Sequence, residues 1–111
     1  MAKAAKGSRR TVQQIQLPPE VHEGVKVLAR QGDNTTMNDV YDAAVEWFFA
    51  SRAKKSFHYY LASTKRGKYT SLWIDTKILD RTRIIAKRDA VSISRVIYTA
   101  LVLYLEEKKL I

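Results

Sequence analysis

The chain has 111 residues, no cysteine, and 20 lysines and arginines against 11 aspartates and glutamates, a formal charge of +9. That length makes one small domain or two very small units whose halves are marginal alone, so either the halves fold together or a partner completes them. Without cysteine neither disulfides nor thiolate metal sites contribute, no apolar run approaches the roughly eighteen residues of a membrane span, and the polar start lacks the apolar stretch of a secretory signal, so a soluble, cytoplasmic protein is expected.

Residues 1–10 form a basic arm, with Lys3, Lys6, Arg9 and Arg10 and no acid. Residues 12–17, VQQIQL, then alternate, placing Ile15 and Leu17 on one face and Val12, Gln14 and Gln16 on the other, the period of a half-buried strand. Pro18 ends the strand, and Pro18 and Pro19 suit the first turn of a helix whose positive end favours Glu20 and Glu23. That helix is predicted to run to about Arg30 with Val21, Val25 and Leu28 on one stripe, and Gly32 is its expected stop. Thr35 or Thr36 is the expected cap of a second helix from about Met37. Its broad apolar face (Val40, Tyr41, Ala44, Val45, Trp47, Phe48) must be covered by something.

Residues 51–68 form a connector with Arg52, Lys54, Lys55, Lys65, Arg66 and Lys68 and again no acid. Arm and connector thus hold ten of the twenty basic residues and none of the acids, which leaves the rest nearly neutral and points to a polyanionic partner. Around Phe57 to Leu61 the connector either prolongs the helix or packs on the bundle. From Tyr69 the opening pattern returns: Leu72 and Ile74 alternate with Ser71 and Trp73, Asp75 or Thr76 is placed to cap a helix carrying Ile78, Thr82 and Ile85, and a turn near DAVS leads to Ser92 as cap of a long apolar helix with Val96, Ile97, Ala100, Leu101, Leu103, Tyr104 and Leu105.

Leu17 matches Ile74 at an offset of 57, and Val40 matches Val96 at 56. Core letters correspond while outward strand letters do not, so one strand-helix-helix unit is duplicated. A lone strand leaves its backbone groups unpaired, and two short helices cannot cover their apolar faces. Two units solve both problems. The expected fold is mainly α: two units, 11–50 and 69–111, whose strands pair into a two-stranded antiparallel ribbon over four helices, an intramolecular pseudo-dimer forming one folded domain.

LPPEV at 17–21, TMNDVYDAAV at 36–45 and SISRVIYTAL at 92–101 carry a resemblance to the ribbon-helix-helix DNA-binding family of the Arc and MetJ type. The usual member is a homodimer of single units. This chain is similar instead to tandem, single-chain versions among conjugation and T-DNA processing accessory proteins of the TraY type, in architecture more than in letters. The resemblance implies double-stranded DNA as partner and the ribbon in the major groove. Base readers are then expected on its outward face: Gln14, Gln16 and Ser71, with Val12 and Tyr69 beside them. The Trp73 indole either contacts a thymine methyl or sugar or covers the connector. In the family the start of the second helix meets the phosphate backbone, which implicates Thr35, Thr36, Met37 and Asn38, and Ser92, Ile93 and Ser94, with Arg95 adding a charge that Asp39, its counterpart, cannot. Arg9, Arg10, Lys65, Arg66 and Lys68 border the strands and are expected on phosphates or in the minor groove. Lys77, Arg81, Arg83, Lys87 and Arg88 read as a solvated helix face.

Two different strands imply a non-palindromic site, bound by a monomer, with cooperative binding to neighbouring sites. Repressing a promoter and marking a transfer origin for a relaxase both need only such binding; family analogy tilts slightly toward a plasmid-borne role. The competing reading is a helical protein-interaction module with non-specific DNA affinity, docking through the aromatic FHYY at 57–60. No enzyme is expected, and no metal or cofactor: His22 and His58 stand without cysteine, paired carboxylates or a glycine-rich phosphate loop. An antitoxin role is not expected either, since the last helix at LEEKKLI is followed by no long segment here that would wrap a toxin, and no interleaved aromatic platform for single-stranded RNA is seen.

Overall fold

The opening alternation becomes a strand, β1 (Arg10–Leu17), and its counterpart becomes β2 (Lys68–Asp75). β1 begins two residues before the alternation at Val12, and β2 one residue before Tyr69. The fold is taken from a computed structural model, which describes residues 9–32, 35–52 and 68–111. Lys3, Lys6, Lys65, Arg66 and the aromatic stretch 57–60 lie outside those residues, as does the expectation that part of the connector extends a helix.

β1 and β2 pair antiparallel in a two-stranded sheet, Arg10 opposite Asp75 and Leu17 opposite Lys68. One amide beyond the strands continues the ladder, the Thr76 N–H donating to the Arg9 carbonyl at 2.8 Å. The inward side chains Ile15, Leu17, Leu72 and Ile74 are buried.

Helix α1 (Pro19–Gln31) follows β1 after a single residue. Pro18 has extended backbone angles, and its carbonyl accepts from Val21 and His22 at 3.0 and 3.1 Å, so the helix starts without a side-chain cap. Gly32 follows α1 as expected, but its backbone is extended rather than left-handed. A glycine suits the position for a different reason: a Cβ there would run into the Thr35 side chain.

Helix α2 (Met37–Arg52) is capped by Thr36, not Thr35. The Thr36 hydroxyl accepts from the Asp39 N–H at 3.2 Å while an Asp39 carboxylate oxygen accepts from the Thr36 N–H at 2.9 Å, a reciprocal box. Helix α3 (Thr76–Arg88) is capped by Asp75, whose Oδ1 accepts from the Lys77 and Ile78 amides. Thr76 is instead the first helical residue, and its hydroxyl pairs with that of Thr11 across the ribbon at 2.8 Å. Ser92 caps helix α4 (Ile93–Glu107), its Oγ accepting from the Arg95 N–H at 3.1 Å. The order strand-helix-helix therefore occurs twice.

α2 and α4 pack against each other, which is why their faces are too apolar for a solvent-facing helix; α2 also lies against β2 and α4 against β1. Their buried residues, including Val40, Tyr41, Ala44, Val45 and Phe48 from α2 and Val96, Ile97, Ala100, Leu101 and Leu105 from α4, share a core with the inner ribbon face. Phe49 and Leu79 join it, though neither lies on the predicted stripes. Each fully buried side chain of this size contributes about 1.5–3 kcal/mol. Thr82 is buried and satisfied, its hydroxyl donating to the Ile78 carbonyl at 2.8 Å. Among the described residues no buried side-chain nitrogen or oxygen lacks a partner. No described helix is long and apolar enough to cross a membrane.

Candidate nucleic-acid interface

The register turns the six outward residues into three facing pairs: Val12 with Trp73, Gln14 with Ser71, and Gln16 with Tyr69. Side chains alternate across a strand, so burying Ile15, Leu17, Leu72 and Ile74 forces these six to the opposite surface. Tyr69 is 72 % exposed, Trp73 48 % and Val12 41 %. Gln14 and Ser71 are exposed and Gln16 half-buried. The face is graded along its length, with an apolar pair at one end, two small hydrogen-bonding side chains in the middle, and an amide beside a phenol at the other end. Of the residues 57 apart in the chain, only Gln14 and Ser71 also stand opposite each other in the ribbon.

The apolar end is fastened to α2 by charge. Arg10, expected on a phosphate, turns its guanidinium inward: Nη1 donates to the Trp73 carbonyl at 2.9 Å and lies 2.9 Å from an Asp42 carboxylate oxygen, and Nη2 lies 3.3 Å from Asp39. The other Asp42 oxygen accepts from the Asp75 N–H at 3.0 Å. Burial pushes the Asp42 carboxyl above its ordinary value, opposed by the Asp75 amide and by Arg10. Reading by residue type missed this cluster. Asp39 and Asp42, three apart on a helix, share a face, but nothing in their spacing names an arginine 29 residues before the first of them as their shared partner.

Arg9 remains exposed at the foot of β1. At the start of α2, Thr36 is exposed and Met37 and Asn38 are half-buried; at the start of α4, Ser92 is exposed and Ile93, Ser94 and Arg95 are half-buried. The two helix starts differ in charge. The third helical residue of α2 is Asp39, whose carboxylate closes the capping box, whereas the same place in α4 holds Arg95. A phosphate near the first meets an anion, and near the second a cation. Lys68 opens β2.

The basic residues of α3 serve in part to hold the fold. Arg81 stacks over the Phe49 ring, 4.7 Å from its centroid, and lies 3.7 Å from Glu46 on α2; Arg83 pairs with Asp80 at 2.8 Å. Comparison with protein-family models, with curated proteins and with solved structures gives no match for this chain.

Proposed function

We propose that this protein binds double-stranded DNA sequence-specifically by laying the outer face of its β1–β2 ribbon in a major groove, as a plasmid transfer accessory protein or a transcriptional regulator. One observation carries the reading: a two-stranded ribbon exposes three pairs of side chains that the core does not use, including a glutamine and a serine at its middle. A ribbon of this width fits the major groove, where glutamine pairs with adenine through its carbonyl and amide and serine donates or accepts. The ribbon-helix-helix resemblance, with two units fused as an intramolecular pseudo-dimer about an axis near Gln14 and Ser71, supports the same reading.

Because the facing residues differ on the two strands, the preferred site is non-palindromic. Phosphate contacts divide unequally. The α4 start, with Arg95, and the exposed Arg9 favour a phosphate, while the α2 start, with Asp39, favours one less. Arg10 is assigned to holding the ribbon rather than to the backbone of DNA. The basic arm and connector supply a sequence-independent, salt-sensitive share of the affinity.

Selection of the purified protein on a randomised duplex library at two salt concentrations, alongside a Gln14→Ala, Gln16→Ala variant, tests the proposal. The expected outcome is a non-palindromic motif that the variant loses while keeping salt-sensitive background binding. Binding without any motif would sink the reading and leave only a basic protein that coats polyanions.

A further inference from the structure

We propose that the ribbon end formed by Val12 and Trp73 reads thymine 5-methyl groups, which gives the bound duplex a direction: thymine methyls under that end, hydrogen-bonded base edges under the end formed by Gln16 and Tyr69. This rests on the duplex reading above and adds to it which chemical group each end of the ribbon takes.

Val12 and Trp73 stand directly opposite each other, 41 % and 48 % exposed, on the face turned away from the core. Beyond the indole N–H, this pair offers the groove nothing but apolar surface. The chief apolar group that B-DNA presents in the major groove is the thymine methyl; apart from small C–H edges such as cytosine C5–H, the other features there are donors or acceptors, which an apolar pair would desolvate without satisfying. Adenine, guanine and cytosine edges therefore lose hydration against this pair, and thymine loses least.

The same end is held rigid, and the arginine within the strand there is engaged by the protein itself. Arg10 bonds the Trp73 carbonyl and is itself bound by Asp42 and Asp39, so the strand position that carries the indole is fixed before any ligand arrives. The Asp39 side chain, 38 % exposed, adds negative charge beside it. Phosphate attraction at this end falls to Arg9 beyond the strand, and burial of a methyl group is the contact that the pair itself can make with a base. At the opposite end Tyr69 and Gln16 carry a hydroxyl and an amide, groups that suit polar base edges.

The test uses the duplex selected by the full-length protein, with each thymine replaced in turn by deoxyuridine, which removes the methyl and leaves the base-pairing edge intact. Binding should weaken about fourfold at the one or two thymines beneath Val12 and Trp73, the factor expected for burying a single methyl group, and remain unchanged elsewhere. In a Val12→Ser, Trp73→Gln variant, thymine and deoxyuridine should bind equally at those positions. Tolerance of deoxyuridine at every thymine of a motif that is nonetheless selected would overturn this inference and leave the duplex reading standing. A penalty undiminished in the variant would overturn it as well, by assigning the methyl contact to other residues. If no motif is selected at all, the duplex reading itself fails and this inference with it.

Discussion

At the scale of single residues, Asp42 concentrates more consequence than any member of the outward face. Its two oxygens hold an amide of β2 and the guanidinium of β1, so one helical side chain fixes both strands at one end of the ribbon. Burial raises its pKa, so between the ordinary aspartate value and the raised one the folded chain binds more protons than the unfolded chain. The contribution of this group to stability is therefore greatest below that window and is lost as the pH rises through it. Asp42→Asn keeps an acceptor for the Asp75 N–H but cannot ionise. Denaturant unfolding from pH 3 to pH 7 should show the variant gaining on the parent as pH rises; an unchanged difference would place the pH dependence in other groups. Asp42→Ala, which leaves the Asp75 amide without its acceptor, should cost about 1–3 kcal/mol at neutral pH.

At the scale of elements, the two helices of the second unit end alike. After α3 the chain turns through Ala90 in the left-handed region (φ 57°), with Val91 donating to the Ala86 carbonyl and Ala90 to that of Lys87. After α4 it does the same through Lys109 (φ 61°), with Leu110 donating to Leu105 and Lys109 to Glu106. Both are Schellman turns built without glycine, and each left-handed residue with a Cβ costs about 1–2 kcal/mol. Ala90→Gly should remove that strain at the expense of unfolded-chain entropy, a net gain of about 0.5–1 kcal/mol. A melting temperature that does not rise would show that the Ala90 methyl makes a compensating contact. In both turns the residue that follows, Val91 or Leu110, packs on the core, so each turn also anchors the helix end.

At the scale of the whole molecule, the duplicated pattern is not a duplicated interior. Gly24 of α1 lies against Leu105 of α4, where a Cβ would come within 2.9 Å of the leucine side chain. The corresponding positions at offsets of 57 and 56 hold Arg81 and Phe49, joined by stacking of the guanidinium on the ring. One flank is closed by a small residue beneath a leucine, the other by a cation on an aromatic face, worth about 0.5–2 kcal/mol. Gly24→Leu would overfill the first flank and should destabilise by about 1–3 kcal/mol. Because the core draws on α2, α4 and both strands together, neither half has an interior of its own. Helix circular dichroism and exchange of the ribbon amides should therefore report one coincident unfolding transition; separate transitions would mean that the halves fold independently.

Local order was legible in the sequence because its causes are local. Alternation in VQQIQL and its counterpart identified both strands and, through the parity of a pleated strand, all six outward residues; prolines and the Thr, Asp and Ser caps marked the helix starts. An offset of 57 matched the first helices of the two units, Pro19–Gln31 and Thr76–Arg88, residue for residue. Only the tertiary structure decided what depends on residues far apart in the chain. The pairing register set Val12 against Trp73 and so made an apolar end of the ribbon. Placing α2 beside β2 turned Arg10 from a free cation of the arm into the clasp between Asp39, Asp42 and the Trp73 carbonyl. Periodicity reports which way a side chain points, because each residue's direction follows from its own backbone. Which distant side chain it meets depends on how whole elements pack, and the spacing of letters does not encode that.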